Sequence, residues 1–241
     1  MRDGAASPGR VRFSPPWWAW LLTLVLLAVM VRLGFWQLDR AEQKRDLQRD
    51  FATAAAAPPE TLAAPAPPAD DAPAHVRVRG RYLATPQFLL DNQIREREPG
   101  LRVWTPLRRP GGGIILVDRG WIPDPGRDRR PDVAVDDRER TVRGLWRPFP
   151  EAGLAVGNAL CDSEASPERV QYPAHDELRC RFDGQLAHGL LLLDPQAPDG
   201  FLREWAPGHL EPEVHLGYAV QWFGFAAALL VIFVVVNRKR G

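Results

Sequence analysis

The sequence predicts a membrane-anchored α+β protein, in which two transmembrane helices flank an extracytoplasmic, mainly antiparallel β domain that could close into a barrel. Three observations favour this class. Long apolar segments lie near both ends of the 241 residues, short segments of alternating hydrophobicity fill the middle, and a stretch rich in Ala and Pro follows the first apolar segment. A chain of this length that is 45% apolar can also build a core of its own.

The two apolar segments are long enough to span a membrane. Residues 17–36 are interrupted only by Arg32, and residues 216–236 contain no charged side chain. Twenty helical residues cover about 30 Å, the thickness of a hydrocarbon core. A cleaved signal peptide is the alternative for the first segment, but the segment has no small-x-small site and ends in bulky Leu33, Phe35 and Trp36. We therefore expect two retained spans, with short tails at residues 1–16 and 237–241.

The distribution of basic residues indicates which side of the membrane each part occupies. Arg238, Lys239 and Arg240 directly follow the second span, whereas only Arg203 lies within about fifteen residues before it. This bias places the C-terminus in the cytoplasm, and two spans return the N-terminus to the same side. The sixteen residues before the first span are short for a transit peptide, which favours a bacterial inner membrane with a periplasmic central domain.

The segment after the first span predicts a helical extension and then a linker. Residues 37–51 mix acidic and basic side chains at helical spacing, so the first helix should continue beyond the membrane. Residues 52–74 are mostly Ala and Pro, which bury too little apolar surface to offset the entropy of ordering the chain. We expect a semi-stiff linker there.

Residues 75–215 are predicted to form the β domain. Apolar residues alternate there in short runs bounded by turn sequences such as Pro110-Gly111-Gly112-Gly113, which suit hairpins and an antiparallel sheet. The predicted strands lie at residues 76–82, 88–90, 101–107, 114–117, 141–146 and 190–193. Residues 123–140 form a charged loop, whose arginines at 127–130 could bind phosphates but alternate with aspartates that favour a solvated loop.

Composition disfavours several function classes. A net charge of +1 gives no reason to bind nucleic acid, and no nucleophile motif or paired-histidine spacing indicates an enzyme. Without a CxxC or CxxCH motif, a dedicated metal carrier is also disfavoured. Cys161 and Cys180 could pair in an oxidising compartment or remain two separate thiols.

Three separated motifs resemble the SURF1 family. They are LGFWQLDRAEQK at residues 33–44, VDRGWIP at residues 117–123 and HLGYAVQWF at residues 215–223. Shorter stretches that look like lesser landmarks of the family are GRY at 80–82, TPL at 105–107 and GLWRP at 144–148, so the resemblance covers about residues 33–236. The chain departs from the family pattern at Asp118, where Asn is usual, and at Glu213-Val214, where a pair of Asn is common.

The resemblance implies an assembly factor for haem-copper cytochrome c oxidase that handles haem a on its way into the catalytic subunit. That subunit and membrane lipid are then the expected partners, and haem a synthase could be another. Two hypotheses follow. In the first, the protein is a haem chaperone that binds haem a. In the second, it is a protein-only membrane scaffold that stabilises an oxidase assembly intermediate without haem.

The candidate haem-binding residues are His215, Tyr218, Trp222 and Arg119, with His215 as the ligand of the haem iron. The first three fall on one helical face, and a neutral imidazole beside aromatic rings suits a porphyrin. A belt of interfacial aromatic side chains is the alternative explanation. Arg119 could pair with a haem propionate, or form a salt bridge with a carboxylate of the domain in the same fork geometry.

Small residues and amides predict where the two helices pack. Gly217, Gln221 and Gly224 lie on one face of the second span, where small residues permit close approach and an amide can hydrogen-bond. The matching face on the first helix should include Gly34, Gln37 and Leu38.

Overall fold

The chain divides into two units, each with its own packing. The computed structural model describes residues 11–70, 72–150, 160–161, 163–203 and 211–240. We call the first unit the helix pair, which comprises the described residues up to 47 and from 211 onward. The second unit, the sheet domain, comprises the described residues from 48 to 203.

The described residues form three α-helices, one short 3-10 helix and ten β-strands. The α-helices are α1 (Trp17–Ala56), α2 (His175–Arg179) and α3 (Pro212–Val236), and a short 3-10 helix at Cys180–Phe182 follows α2. The strands are β1 (Val11–Phe13), β2 (Glu60–Thr61), β3 (Ala74–Tyr82), β4 (Phe88–Arg95), β5 (Glu98–Arg108), β6 (Ile114–Pro123), β7 (Arg140–Arg147), β8 (Glu168–Val170), β9 (Leu186–Leu193) and β10 (Arg238–Arg240).

Both long helices are apolar enough to cross a membrane, and their apolar surface is largely exposed. In the most apolar window of each helix, only 11% of the residues of α1 and 17% of those of α3 are buried. A core helix of a soluble protein would bury such side chains, whereas a helix surrounded by lipid leaves them outward. Strands β1 and β10 pair antiparallel, with Val11 opposite Arg240, so the outer ends of the two helices lie on the same side.

The first helix is longer than predicted, and the segment after it is more ordered. α1 continues to Ala56 because alanines follow Phe51, and it ends there because a residue before proline, here Ala57, disfavours helical geometry. The predicted linker over residues 52–74 is therefore partly helix. Beyond it β2 pairs in parallel with β3, and Leu62 is buried in the core of the sheet domain, which proline-rich composition alone did not indicate.

The sheet domain is built on one mixed eight-stranded sheet. Its strand order is β2-β3-β7-β9-β6-β5-β4-β8, and it contains all six predicted strands. Most neighbours are antiparallel as expected, but β6 and β9 pair in parallel near the centre. The sequence did not indicate this pairing because a parallel crossover has no local turn signal. The end of β3 also pairs with β5, where Arg81 faces Arg108, and closure into a barrel stays a prediction.

Apolar clusters and a disulfide hold the sheet domain together. One cluster joins side chains from β3, β5, β6, β7 and β9, and its buried members include Tyr82, Leu107, Ile115, Trp146, Leu191 and Leu193. Another cluster joins Leu89 of β4, Leu101 and Val103 of β5 and Ile122 of β6. Cys161 and Cys180 form a disulfide across 19 residues, with their Cα atoms 5.4 Å apart. Of the two alternatives left open for these cysteines, the structure shows the paired one.

Candidate functional site

His215 lies in the first turn of α3, where it is held by a side chain of α1. Proline at the first position of the helix starts α3 at Pro212, because its missing N–H would have no helical partner there. His215 is half-buried, and its Nδ1 lies 2.6 Å from Gln37 Oε1. An amide oxygen only accepts hydrogen bonds, so Nδ1 donates. The neutral ring then carries its lone pair on Nε2, which has no hydrogen-bond partner among the described residues.

This hydrogen bond has two chemical consequences. It fixes the orientation and the tautomer of the imidazole, as the second hydrogen bond of metal-binding histidines does. It also joins two apolar helices through polar side chains, which in a membrane stabilises helix association. The expectation that Gln37 lies on the packing face of α1 is confirmed, whereas Leu38 is 37% exposed.

The packing face of α3 differs from the predicted one. Gly217 and Gly224 are exposed, and a Cβ built on either would meet no atom within 4 Å. The prediction that these glycines pack against α1 is therefore wrong. Instead Phe223 lies against Gly34, where a Cβ would come 2.7 Å from the ring, and Ala219 is buried. A large ring on α3 fills the space that the missing side chain leaves on α1, and this sets the rotation of the helix.

The aromatic candidates on α3 lie in different environments. Trp222 is half-buried, and its ring meets that of Phe225 edge to face at 6.1 Å. Tyr218 is 48% exposed. The structure therefore brings His215 to Gln37 rather than into a closed aromatic pocket. The roles of Tyr218 and Trp222 at a haem stay predictions.

Arg119 lies within the sheet domain, where its guanidinium is enclosed. It is 6% exposed, its Nε donates to the carbonyl of Asp199 at 2.8 Å, and its Nη1 donates to the carbonyl of Val133 at 2.8 Å. Its cation lies over the rings of Tyr82, at 5.6 Å, and Phe201, at 4.9 Å. Burial lowers the pKa of Arg119, although a guanidinium stays charged at neutral pH. Its hydrogen-bond partners are these main-chain carbonyls and, at 3.4 Å, the hydroxyl of Thr105, rather than a carboxylate, and a contact with a propionate stays a prediction.

The neighbouring carboxylate, Asp118, organises the same turn of β6. One oxygen accepts from Arg102 Nε at 2.7 Å and from Trp104 Nε1 at 3.2 Å, and the other accepts from the backbone N–H of Gly120 at 2.9 Å. Gly120 has a φ of +115°, a conformation that side chains rarely adopt. Burial lowers the pKa of Arg102, but the charge and hydrogen bond of Asp118 raise it further, so the net shift is upward.

Two histidines meet in the sheet domain although their spacing gave no sign of it. The rings of His175 and His188 lie 4.4 Å apart, and the ring of Phe149 lies 5.3 Å from that of His175. They are brought together because α2 packs beside β9, a contact that no local pattern reveals. Among the described residues, no group of three or more His, Cys, Asp or Glu side chains is arranged to hold a metal ion.

These observations fit one class, a membrane-anchored β-sheet protein: two exposed apolar helices lie on either side, in sequence, of a mixed β-sheet domain. The model of the SURF1 family matches residues 24–227. The chain therefore belongs to the SURF1 family, whose members act in the assembly of cytochrome oxidase.

Curated relatives agree with this assignment over almost the whole chain. A SURF1-like protein of Rickettsia conorii is 24% identical over 230 residues, which cover 90% of this chain and 90% of the relative. SURF1-like proteins of Rickettsia felis and Rickettsia bellii are 25% and 26% identical, and each match covers 91% of this chain. The resemblance found in the three sequence motifs is thus confirmed.

Proposed function

We propose that this protein assists the assembly of haem-copper cytochrome c oxidase by holding haem a on His215 before the haem enters the catalytic subunit. The observation that carries the proposal is the hydrogen bond from His215 Nδ1 to Gln37 Oε1. It leaves Nε2 as the basic nitrogen, and an imidazole nitrogen of this kind is a common axial ligand of haem iron.

The position of His215 along α3 suits an amphipathic cargo. The residue directly precedes the uncharged segment at 216–236, so its ring lies where the apolar span begins. At such a depth the porphyrin plane meets lipid and apolar side chains, while the propionates reach water. The exposed ring of Tyr218 and the half-buried ring of Trp222 are the residues of α3 that would cover the porphyrin.

The compartment follows from the charges and the disulfide. Basic residues after the second span favour cytoplasmic termini, and a disulfide between Cys161 and Cys180 suits an oxidising compartment such as the bacterial periplasm. We therefore assign the sheet domain to the periplasmic side of the inner membrane. The catalytic subunit of the oxidase is the expected recipient of the haem, and haem a synthase is the expected donor.

A protein-only scaffold is the second candidate function, and one observation favours it. The hydrogen bond between Gln37 and His215 also serves as a bond between two membrane helices, a role that needs no haem. In that case the helix pair stabilises an incompletely assembled oxidase, and the imidazole contributes only to helix packing.

Titration with haem a distinguishes the two functions. Full-length protein in detergent would be titrated with haem a and followed by absorption spectroscopy, beside His215→Ala and Gln37→Leu. We expect His215→Ala to abolish binding and Gln37→Leu to weaken it by about 10- to 100-fold, as loss of the partner of a metal-binding histidine does. The control is Gln221→Leu, which removes an exposed amide of the same helix and should bind as the wild type does.

The outcome for each function is distinct. Haem a binding that is absent in the wild type, or that His215→Ala leaves unchanged, would refute the chaperone and leave the scaffold. Copurification of the catalytic subunit with His215→Ala then tests the scaffold itself, because a scaffold retains its partner without the imidazole.

A further inference from the structure

The outward face of the sheet domain carries an unusual set of arginines on β3, β5 and β7. We call it the arginine ladder, and all of its members are exposed: Arg77, Arg79, Arg81, Arg108 and Arg143. The three members on β3 alternate with the buried residues Val76, Val78 and Tyr82, so they share the solvent face of the strand.

The register of the strands sets like charges against each other. In the antiparallel pair of β3 and β7, Arg77 lies directly opposite Arg143. Where β3 pairs with β5, Arg81 lies directly opposite Arg108. Like charges in directly opposed positions destabilise a sheet, and here they occur twice along one strand. Such an arrangement indicates a surface that is neutralised by something other than the sheet.

The described residues neutralise the ladder only in part. Arg79 pairs with Glu139 at 2.5 Å, and Arg77 donates to the uncharged hydroxyl of Thr61 at 2.9 Å. The side chains of Arg81, Arg108 and Arg143 make no hydrogen bond or ion pair with any residue that the structure describes.

One further carboxylate lies near this face. Asp194 lines an open pocket of about 310 Å³ together with Arg143, but its Oδ2 lies 3.3 Å from His75 Nε2. The carboxylate of Glu139 is thus shared with one ladder arginine, and that of Asp194 with His75.

We propose that the arginine ladder binds the anionic headgroups of phospholipids and so docks the sheet domain on the membrane surface. A guanidinium binds phosphate oxygens with two parallel hydrogen bonds, and it is less strongly hydrated than an ammonium. The ladder spreads its charges along a strand at intervals of about 7 Å, which suits many headgroups rather than one concave ligand.

Lipid is favoured over an acidic protein because the apolar helices of the same chain tether the sheet domain to a bilayer. The sheet domain is joined in sequence to α1 and α3, whose apolar surfaces require a bilayer, so headgroups are present at high effective concentration. Each basic residue near an anionic membrane surface adds to the attraction, and an acidic protein would have to compete with that surface.

Energy transfer to the bilayer tests the proposal in full-length protein. Thr141 lies opposite Arg79 and is exposed, and both native cysteines are in the disulfide, so Thr141→Cys offers one free thiol for a donor dye. The protein would be placed in nanodiscs of phosphatidylcholine, with or without phosphatidylglycerol, that contain an acceptor lipid. We expect higher transfer in the anionic discs and a return to the neutral level at about 1 M salt, where the Debye length is about 3 Å.

Two sets of substitutions with the same change in charge separate the ladder from general basicity. The ladder variant R81Q/R108Q/R143Q should shift the docking equilibrium by about 100-fold, as expected for three basic residues at an anionic surface. The loop variant R127Q/R129Q/R130Q, with three exposed arginines of the loop between β6 and β7, should dock as the wild type does. A variant with lysine at the three ladder positions keeps the charge and should retain docking.

Three results would overturn the proposal. One is equal transfer in neutral and anionic discs, and another is an equal loss in the ladder and loop variants. The third is a ladder variant that keeps its response to lipid but no longer copurifies with the catalytic subunit, which would assign the ladder to an acidic protein. Haem a titration of the ladder variant does not depend on these results, so it tests the proposed function separately from the proposed lipid docking.

Discussion

Removal of the Asp118 carboxylate should destabilise the sheet domain more than removal of any surface carboxylate. Asp118 is 2% exposed and accepts hydrogen bonds from Arg102, Trp104 and the backbone of Gly120. Asp118→Ala leaves all three donors without an acceptor, and breaking a buried ion pair from one side costs about 3–5 kcal/mol. The Arg102 side chain is 26% exposed, so water can hydrate part of it, and we expect about 3 kcal/mol.

Asparagine at the same position gives a graded version of the test. Its amide oxygen can replace the oxygen that accepts hydrogen bonds from Arg102 and Trp104, but its NH2 group then faces the N–H of Gly120. One hydrogen bond is lost and two donors oppose each other, which costs about 1–3 kcal/mol. Asp118→Asn should therefore lie between the wild type and Asp118→Ala.

The assay is thermal unfolding of full-length protein in detergent, followed by near-ultraviolet circular dichroism of its tryptophans. A loss of about 3 kcal/mol corresponds to a midpoint lower by about 6–12 °C for a domain of this size. The control is Asp124→Ala, whose pair with Arg169 is about one-fifth exposed on each side and should contribute at most about 1 kcal/mol. If Asp118→Ala unfolds within 2 °C of Asp124→Ala, taking about 2 °C as below 1 kcal/mol, the argument from burial is refuted.

Two more predictions concern the helix pair and the core. Gly34→Leu should lower the unfolding midpoint, because the new side chain would overlap the ring of Phe223 and overpacking costs about 1–3 kcal/mol. Gly224→Leu, on the open face of α3, should be tolerated. Equal effects of the two substitutions would contradict the helix packing described above. Burial raises the pKa of Tyr82 to about 12, so the unfolded chain ionises first as the pH rises above about 10, and wild-type stability should fall by about 2 kcal/mol between pH 10 and 12. Tyr82→Phe should lack this loss of stability above pH 10. Parallel pH profiles of the unfolding free energy for the two proteins would contradict the prediction.

Much of the fold could be predicted because its signals are local. The apolar spans can be recognised by their length and hydropathy. The strands can be recognised by alternating apolar and polar residues between turn sequences. The pairing of β6 with β9 was missed because it joins residues about seventy positions apart, such as Leu116 and Leu190, without a hairpin. Leu62 was missed because it is one apolar side chain within a segment whose average composition indicates a linker.

The candidate site was only partly predictable for a related reason. Gln37 and His215 both lie in motifs that the sequence marks, but their hydrogen bond depends on the rotation of α3. Glycine spacing predicted the wrong rotation, because Gly217 and Gly224 form an equally regular stripe on the opposite side. Which stripe packs is decided by shape, since Phe223 fits against Gly34, and shape complementarity leaves no periodic signature in one sequence.

The hydrogen bond between Gln37 and His215 also constrains the order of events during synthesis. The two residues are 178 positions apart, so α1 emerges from the ribosome and can insert long before its partner exists. Throughout that interval the Gln37 side chain must be hydrated or accept a hydrogen bond from another donor, because an unpaired amide is costly in a bilayer. The imidazole acquires its fixed orientation only when the second span has joined the first, so a nascent chain cannot present the same ligand as the finished molecule.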